Sequence, residues 1–294
     1  MSTIAFIGLG NMGGPMAANL VKRGHAVRGV DLSKANLDAA AQRGVTVTPS
    51  AAEAAKGADA VITMLPSGKD TIAVYTKSGI LEAAAKGTVF IDCSTIDVAS
   101  ARTAHDLATN AGMLSVDSPV SGGVGGAEAA TLTLMAGGSA AAFAKAKPFL
   151  ECVGKKIVHC GDAGAGQAAK ICNNMILGIT MIGVSESFVL AEKLGLSKEA
   201  LFEVASTSSG QCWAMTSYCP VPGPVPSSPA NNGYKPGFAS ALMLKDLKLA
   251  QEAVASSGAT SPMGALAAQL YALYAANGGA AKDFSGIIEM IRGK

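Results

Sequence analysis

The sequence predicts a chain in two parts. Residues 1–163 read as an α/β domain with a doubly wound parallel sheet, and residues 164–294 as an all-helical domain, the two joined by a long helix. Three observations predict this. Short apolar runs alternate with helical patterns up to about residue 160, and strands alternating with helices mean a parallel sheet covered on both faces. A glycine-rich turn follows the first apolar run and opens a helix. After about Gly164 the strand signals stop and only helical periodicities remain. At 294 residues the chain is too long for one simple core and long enough for two.

Thr3–Ile7 is a continuous apolar run, the pattern of a strand buried on both faces. It ends in Gly8-Leu9-Gly10-Asn11-Met12-Gly13, and a helical pattern runs from Pro15 to Arg23. This is G-x-G-x-x-G between a strand and a helix. The first glycine permits the tight turn, the second lets backbone approach a pyrophosphate, and the third lets helix pack on strand; the helix N-terminus attracts the phosphate charge. The motif predicts a dinucleotide-binding (Rossmann) domain, with Gly8, Leu9, Gly10, Asn11, Met12 and Gly13 against the cofactor. Ala26–Val30 is the second strand, and Asp31 closes it. A carboxylate there bonds the adenosine ribose hydroxyls and repels a 2′-phosphate, which predicts NAD rather than NADP. Lys34 and Arg28 nearby keep NADP as the alternative. Asp31 also fits as a helix cap, a role open to Ser33 as well.

Further strands are read at Val45–Val47, Ala60–Leu65, Thr88–Asp92, Leu114–Asp117 and Lys156–His159, with helices at Ala51–Lys56, Ala99–Ala111 and Ser139–Leu150. Ligands of such sheets bind beyond the carboxyl ends of the strands. That places Leu65-Pro66 and Ser94-Thr95 at the cofactor groove, although each also fits an ordinary strand-ending turn and Thr95 could cap a helix. The stretch Asp117–Gly126 is crowded with glycine. Its successive N–H groups could cradle an anion, a carboxylate being the natural guest and Ser121 a further donor. Sequence pattern alone favours instead a flexible hairpin from Leu114–Asp117 to Thr131–Gly137.

The helical half hangs on the stretch Gly164–Asn174 and the apolar run after it. Lys170 is the one charge there, with Asn173 and Asn174 three and four residues on, sharing its helical face. A buried lysine is costly unless it is paired or has a task, and burial moves a lysine toward neutrality, which makes Lys170 a candidate proton carrier. The competing reading is a stem on apolar surface with its ammonium in water. Helices follow at Lys198–Ser206, Ala239–Ser256, Met263–Ala276 and Phe284–Arg292. Between Cys212 and Gly237 lies a Pro-rich segment, Cys219–Gly237, in a stretch that also carries the sole tryptophan, Trp213, long enough to suggest a pocket lid or a subunit contact. On pattern alone Lys245-Asp246 reads as a solvated pair.

Composition excludes several classes. The formal charge is +2 with no basic block and few aromatics, so nucleic acid is not expected. The six cysteines form no C-x-x-C pair and read as reduced, buried thiols; the three histidines are scattered, so no metal site is expected. The most apolar window, Met175–Val184, is too short to span a bilayer, so no membrane contact is expected. With no leader pattern before the first strand, the expected location is cytoplasmic, or the mitochondrial matrix if a transit segment has been removed.

Taken together, these residues resemble the β-hydroxyacid dehydrogenase family over nearly the whole chain. The cofactor signature is similar to Ile7–Gly13, the substrate loop to Asp117–Gly123 and the catalytic signature to Gly166–Asn174. Ser208–Trp213, the Pro-rich segment and Leu242–Leu247 resemble the branch acting on small branched β-hydroxy acids, unlike shorter-loop relatives that reduce glyoxylate or tartronate semialdehyde. The resemblance implies NAD-dependent oxidation of a primary alcohol on such an acid, with Lys170 as general acid/base. It implies Ser121, Gly122, Gly123 and Asn174 as the substrate-holding set, and Leu65, Pro66, Thr95 and Lys245 as cofactor contacts. Asp70 falls where such enzymes often carry Asn, Ser118 where they usually carry Ala, and Leu244 where a polar or small residue is common. The expected partner is a small-molecule hydroxy acid. A helix apolar all round in so small a domain predicts a homodimer or homotetramer. The alternatives are an NADPH-dependent semialdehyde reductase of the same family, and a non-catalytic cofactor-binding module on the same fold.

Overall fold

The computed structural model describes residues 1–293, which form two compact units, Met1–Lys170 and the residues from Ile171 on. The first unit runs β1 (Thr3–Ile7), α1 (Gly13–Lys22), β2 (Ala26–Val30), α2 (Lys34–Ala41), β3 (Thr46–Val47), α3 (Ala51–Ala55), β4 (Ala60–Thr63), α4 (Gly68–Lys77), α5 (Ile80–Ala83), β5 (Val89–Asp92), α6 (Val98–Asn110), β6 (Leu114–Asp117), β7 (Val120–Ser121), α7 (Gly123–Glu128), β8 (Leu132–Gly137), α8 (Ala140–Leu150) and β9 (Gly154–Gly161). Helix α9 (Ala165–Lys193) begins in this unit and continues into the second.

The strands make one sheet in the order β3-β2-β1-β4-β5-β6-β8-β7, with β9 on β8. Neighbours from β3 to β6 are parallel; β8 runs antiparallel to β6 and β7. The strand order reverses between β1 and β4, which opens a crevice at the carboxyl ends of those two strands. Each central strand is buried on both faces. Ile4 and Phe6 of β1 enter one apolar layer with Leu20, Ile62 and Ile91, while Ala5 and Ile7 enter the opposite one with Val61, Tyr75 and Phe90. Side-chain caps start many of the helices. Ser33, Ser50, Ser67, Asp97 and Ser139 each accept a backbone N–H three residues on, contacts worth about 1 kcal/mol apiece.

Two features differ from the sequence reading in this unit. Helices α4 and α5 lie between β4 and β5, a stretch to which the sequence reading assigns no element. The glycine-rich connection after β6 is no plain hairpin: Ser121 pairs with Thr133 of β8, and the chain then turns into α7 at Gly123.

The second unit contains most of α9, then α10 (Lys198–Thr207), α11 (Trp213–Thr216), α12 (Ser240–Ser257), α13 (Pro262–Tyr274) and α14 (Ile287–Ile291). The last predicted helix is split, because Phe284–Gly286 is a 3-10 turn capped by Asp283. Its core gathers Met181, Phe188, Met215, Met243, Leu247 and Tyr271. The Pro-rich segment contributes to that core rather than covering it, since Cys219, Val221, Val225 and Tyr234 are buried there. By length and composition α9, at 29 residues, could cross a bilayer, unlike its apolar core window taken alone; the core helix of a globular domain passes the same criterion, and Met181, Val184 and Phe188 are buried in this unit.

All six cysteines are free. The expectation that they are buried fails for half of them. Cys172 is exposed, two residues past Lys170 and therefore on another helical face, and Cys160 and Cys212 are half-buried.

Candidate active site

In the glycine turn each glycine has its own steric reason. Gly8 has φ +93°, and a methyl there would lie 2.3 Å from the Met64 carbonyl oxygen. A methyl at Gly13 would lie 1.9 Å from the Gly8 carbonyl oxygen, so α1 can begin here only on glycine. Around Gly10 nothing lies within 4 Å of a methyl, which leaves open space over the backbone. No side chain caps the N-terminus of α1, so its positive end faces that space. A cleft of about 170 Å³ runs here past Leu9, Gly10, Asn11, Pro15 and Asn36.

Asp31 closes the turn from the end of β2. One carboxylate oxygen accepts the Leu9 N–H at 2.6 Å; the other accepts the Ser33 N–H at 2.7 Å and the Asn36 amide at 3.1 Å. Ser33 caps α2, so Asp31 is not needed as a cap. Leu32 beside it is fully exposed, an apolar surface suited to one face of a base. The two basic residues that kept NADP open are engaged elsewhere. Lys34 pairs with Asp38 at 2.8 Å, and Arg28 donates to the carbonyls of Ala54 and Lys56. Open glycine backbone, an uncapped helix and a carboxylate at the end of β2 fit a dinucleotide without a 2′-phosphate.

At the carboxyl ends of β4 and β5, Leu65 donates its N–H to Ser94 Oγ at 2.8 Å, and Ser94 Oγ donates to Asp92 at 2.6 Å. Pro66 is exposed and Thr95 half-buried in the turns that follow. Ser121, Gly122 and Gly123 occupy the junction of β7 and α7, where φ is +137° at Gly122 and +63° at Gly123. Both values are ones that glycine holds without strain. Nearby Ser118 is fully buried and its hydroxyl has no partner among the described residues. We expect Ser118→Ala to be neutral or to stabilise the protein by up to about 1 kcal/mol, because it removes an unsatisfied buried hydroxyl. A urea unfolding midpoint below that of the unmodified protein would contradict this.

Lys170 sits on α9 and is 7% exposed, so the solvated reading of this lysine does not hold. Asn174, one turn on, is 1% exposed. Asn173 is exposed and its side-chain amide donates to Asn174 Oδ1 at 2.9 Å, so of the two asparagines only Asn174 is buried. In the second unit the Asn174 amide donates to Asp246 of α12, which is itself buried. The adjacent Lys245 is half-buried. The solvated reading of Lys245-Asp246 therefore fails. Met243, Asp246, Leu247 and Ala250 are all buried in α12, so the helical period had already placed Asp246 on the inner face. Asp117 and Gln167 are further buried polar residues that the sequence did not single out. A second cavity, of about 400 Å³, lies in the second unit on Tyr274, Asn277, Lys282 and Glu289. None of the predicted residues lines it, and its charges pair with each other, Lys282 to Glu289 at 2.8 Å.

Comparison with known proteins bears on the whole chain. Residues 3–161 match the model of the NAD binding domain of 6-phosphogluconate dehydrogenase, and residues 164–291 that of the NAD-binding domain of NADP-dependent 3-hydroxyisobutyrate dehydrogenase. The chain is 56% identical to a probable 3-hydroxyisobutyrate dehydrogenase of Mycobacterium tuberculosis, over 100% of this chain and 99% of that one. It is 46% identical to an NAD-dependent L-serine dehydrogenase of Pseudomonas aeruginosa, over 97% and 96% of the two chains. A solved structure of Mycobacterium tuberculosis 3-hydroxyisobutyrate dehydrogenase with L-serine superposes with a TM-score of 0.96 at 56% identity, covering 99% of each chain. With the glycine turn, Asp31 and two matched models spanning nearly its full length, the chain belongs to the β-hydroxyacid dehydrogenase family, close to the 3-hydroxyisobutyrate dehydrogenases, and is an NAD-dependent oxidoreductase.

Proposed function

We propose that the protein oxidises 3-hydroxyisobutyrate to methylmalonate semialdehyde, a step of valine breakdown, with Lys170 as the proton carrier. The observation that carries this reading is the burial of Lys170 on α9, one helical turn before an Asn174 that Asp246 holds in place. A desolvated amine beside a fixed carboxamide suits general acid/base work. NAD, when bound, takes the hydride from the carbinol carbon. Lys170 Nζ, in its neutral form, takes the hydroxyl proton as the C–O bond becomes a carbonyl, and returns it in the reverse direction. Ser121 and the N–H groups of Gly122 and Gly123 hold the substrate carboxylate, and Asn174 fixes the hydroxyl for transfer. On the cofactor side, Gly8–Gly13 take the pyrophosphate and Asp31 the adenosine ribose, with Leu65, Pro66, Thr95 and Lys245 as further contacts. The protein's contribution is positioning and proton transfer.

L-serine is a second candidate substrate, carrying the same primary alcohol and carboxylate with an ammonium in place of the methyl group. It is favoured by the serine dehydrogenase relative and by the related structure with L-serine. The test is a steady-state assay of both acids with NAD and NADP. We expect kcat/KM for 3-hydroxyisobutyrate to exceed that for L-serine, and NAD to be preferred over NADP, because a carboxylate facing a 2′-phosphate repels it. A preference for L-serine would reassign the substrate, and a preference for NADP would overturn the role given to Asp31.

The same reading includes self-association. Ile176, Leu190 and Leu194 of α9 and its end, with Met263, Leu266 and Leu273 of α13, are each more than half exposed. Apolar side chains in that number on one helical unit suit burial against a second copy. Light scattering at micromolar protein should give the mass of a dimer or tetramer, and a monomer mass would remove the idea.

A further inference from the structure

The turns after β4, β5 and β6 and the start of α9 are joined by buried hydrogen bonds that the mechanism above does not use. Asp117, the last residue of β6, receives two backbone N–H groups from the start of α9: Gly164 donates to one carboxylate oxygen at 2.7 Å and Gln167 to the other at 2.9 Å. The Gln167 side chain, fully buried, turns the other way. Its amide donates to the Ser94 carbonyl at 2.7 Å and its carbonyl accepts the Ile96 N–H at 3.2 Å, so it clamps the turn containing Thr95 from both sides. Ser94 in turn holds the Leu65 N–H at 2.8 Å. The helix start is packed flush against the strands. A methyl at Gly166 would lie 2.2 Å from the Met135 carbonyl oxygen, and one at Gly137 2.5 Å from an Asp117 carboxylate oxygen. Lys170 follows Gln167 by three residues on the same helical face.

The geometry points to Gln167 as a positioning residue for proton and hydride transfer: it locks α9, and with it Lys170, in register with the Leu65 and Ser94–Ile96 turns that border the cofactor, while Asp117 pins the helix end. The inference rests on the reading of Lys170 as proton carrier. Two features favour it over simple core filling. A fully buried glutamine with both ends used fixes direction as well as distance, which an apolar side chain of the same size would not do. Asp117 is kept in an unfavourable setting to hold the helix. Burial pushes its carboxyl up to about 6, with the Gly164 and Gln167 N–H groups opposing the rise and Asp92 on β5 adding to it.

The test is Gln167→Met in the full-length enzyme, beside Lys170→Ala, using the hydroxy acid that the unmodified enzyme turns over and its form deuterated at the carbinol carbon. Turnover is referred to NAD-binding sites counted by titration. Positioning predicts a fall in kcat per site of about ten- to a hundredfold, the cost of displacing a reacting group by about an ångström, with KM for NAD changed less than about threefold and a full primary isotope effect on kcat. A merely structural role predicts fewer active sites and a lower melting temperature with kcat per site unchanged, and that result would overturn the inference. So would a fall in kcat that carries no isotope effect. If Lys170→Ala keeps its turnover, the reading of Lys170 fails; if Lys170→Ala is inactive and Gln167→Met is not impaired per site, only the positioning inference fails. Should Gln167→Met not fold, Gln167→Glu, which keeps the length of the side chain and an acceptor for the Ile96 N–H but loses the donor to the Ser94 carbonyl, carries the same expectations.

Discussion

Lys170→Ala should lower turnover by at least about a hundredfold, the lower end of what a positioned general base contributes, and leave NAD affinity within about threefold of its original value. The second half of that expectation follows from the cofactor elements. The glycine turn, Asp31 and the Leu65–Ser94 contact are built from strands β1, β2, β4 and β5 and the turns that follow them, whereas Lys170 lies on α9. Lys170→Arg sharpens the test. A guanidinium stays protonated throughout the working range and so cannot take the hydroxyl proton, although it keeps the charge. If Lys170 served only to hold a carboxylate by its charge, Lys170→Arg would retain much of the activity; if it carries the proton, Lys170→Arg falls as far as Lys170→Ala. The rate of alcohol oxidation should also rise with pH, because only the neutral amine accepts a proton. Steady-state kinetics of both variants, with NAD binding followed by titration calorimetry, decide between these. Turnover above about a tenth of the original in Lys170→Ala would remove Lys170 from the chemistry.

How much of this site can be read from the chain depends on how local its physics is. The cofactor turn is legible because its constraints lie within a few residues: Gly8 must take a positive φ, and Gly13 must lack a side chain for the helix to start against the Gly8 carbonyl. Asp31 is legible as the residue ending the second strand, and the pair Lys170 and Asn174 through helical spacing. Asp246 was misread because its neighbour in sequence is charged. The period that buries Met243 and Leu247 places Asp246 inward, and its partner Asn174 lies 72 residues away. The Asp117–Gln167 contact was invisible for the same reason, since 50 residues separate its ends and no local pattern links a strand terminus to a helix start. The Pro-rich segment was legible as a long loop. That it supplies core side chains was not, because prolines and serines mask the spacing of Cys219, Val221, Val225 and Tyr234.

Asp283→Ala should cost about 3–5 kcal/mol, a loss in the range of removing one partner from a buried charged network. Asp283 is fully buried at the start of the turn Phe284–Gly286. One carboxylate oxygen accepts the N–H groups of Gly237 and Phe238, each at 3.0 Å, and the Tyr218 hydroxyl at 2.9 Å. The other accepts the Ser285 N–H at 3.0 Å and the Ser285 hydroxyl at 2.7 Å. Burial first, and then the Asp283 carboxylate itself, push the Tyr218 hydroxyl well above its ordinary pKa, so it remains a donor. Tyr218 precedes the Pro-rich segment and Gly237 ends it, so one carboxylate fastens both ends of that segment to the helical unit. Alanine leaves five donors without an acceptor, and the loss is expected to be felt first in the segment itself. The sole tryptophan reports on that place, because Trp213 stacks on Tyr218 with ring centroids 4.9 Å apart and planes inclined by 20°. In urea, the tryptophan emission of Asp283→Ala should shift at a lower concentration than the loss of helical circular dichroism, the sign of a segment that opens before the unit unfolds. Asp283→Asn retains one acceptor and turns an amide toward N–H groups, so it should lie between the two. Coincident transitions at the original midpoint in Asp283→Ala would show that the segment is held by its buried apolar side chains alone, and that the carboxylate adds nothing to them.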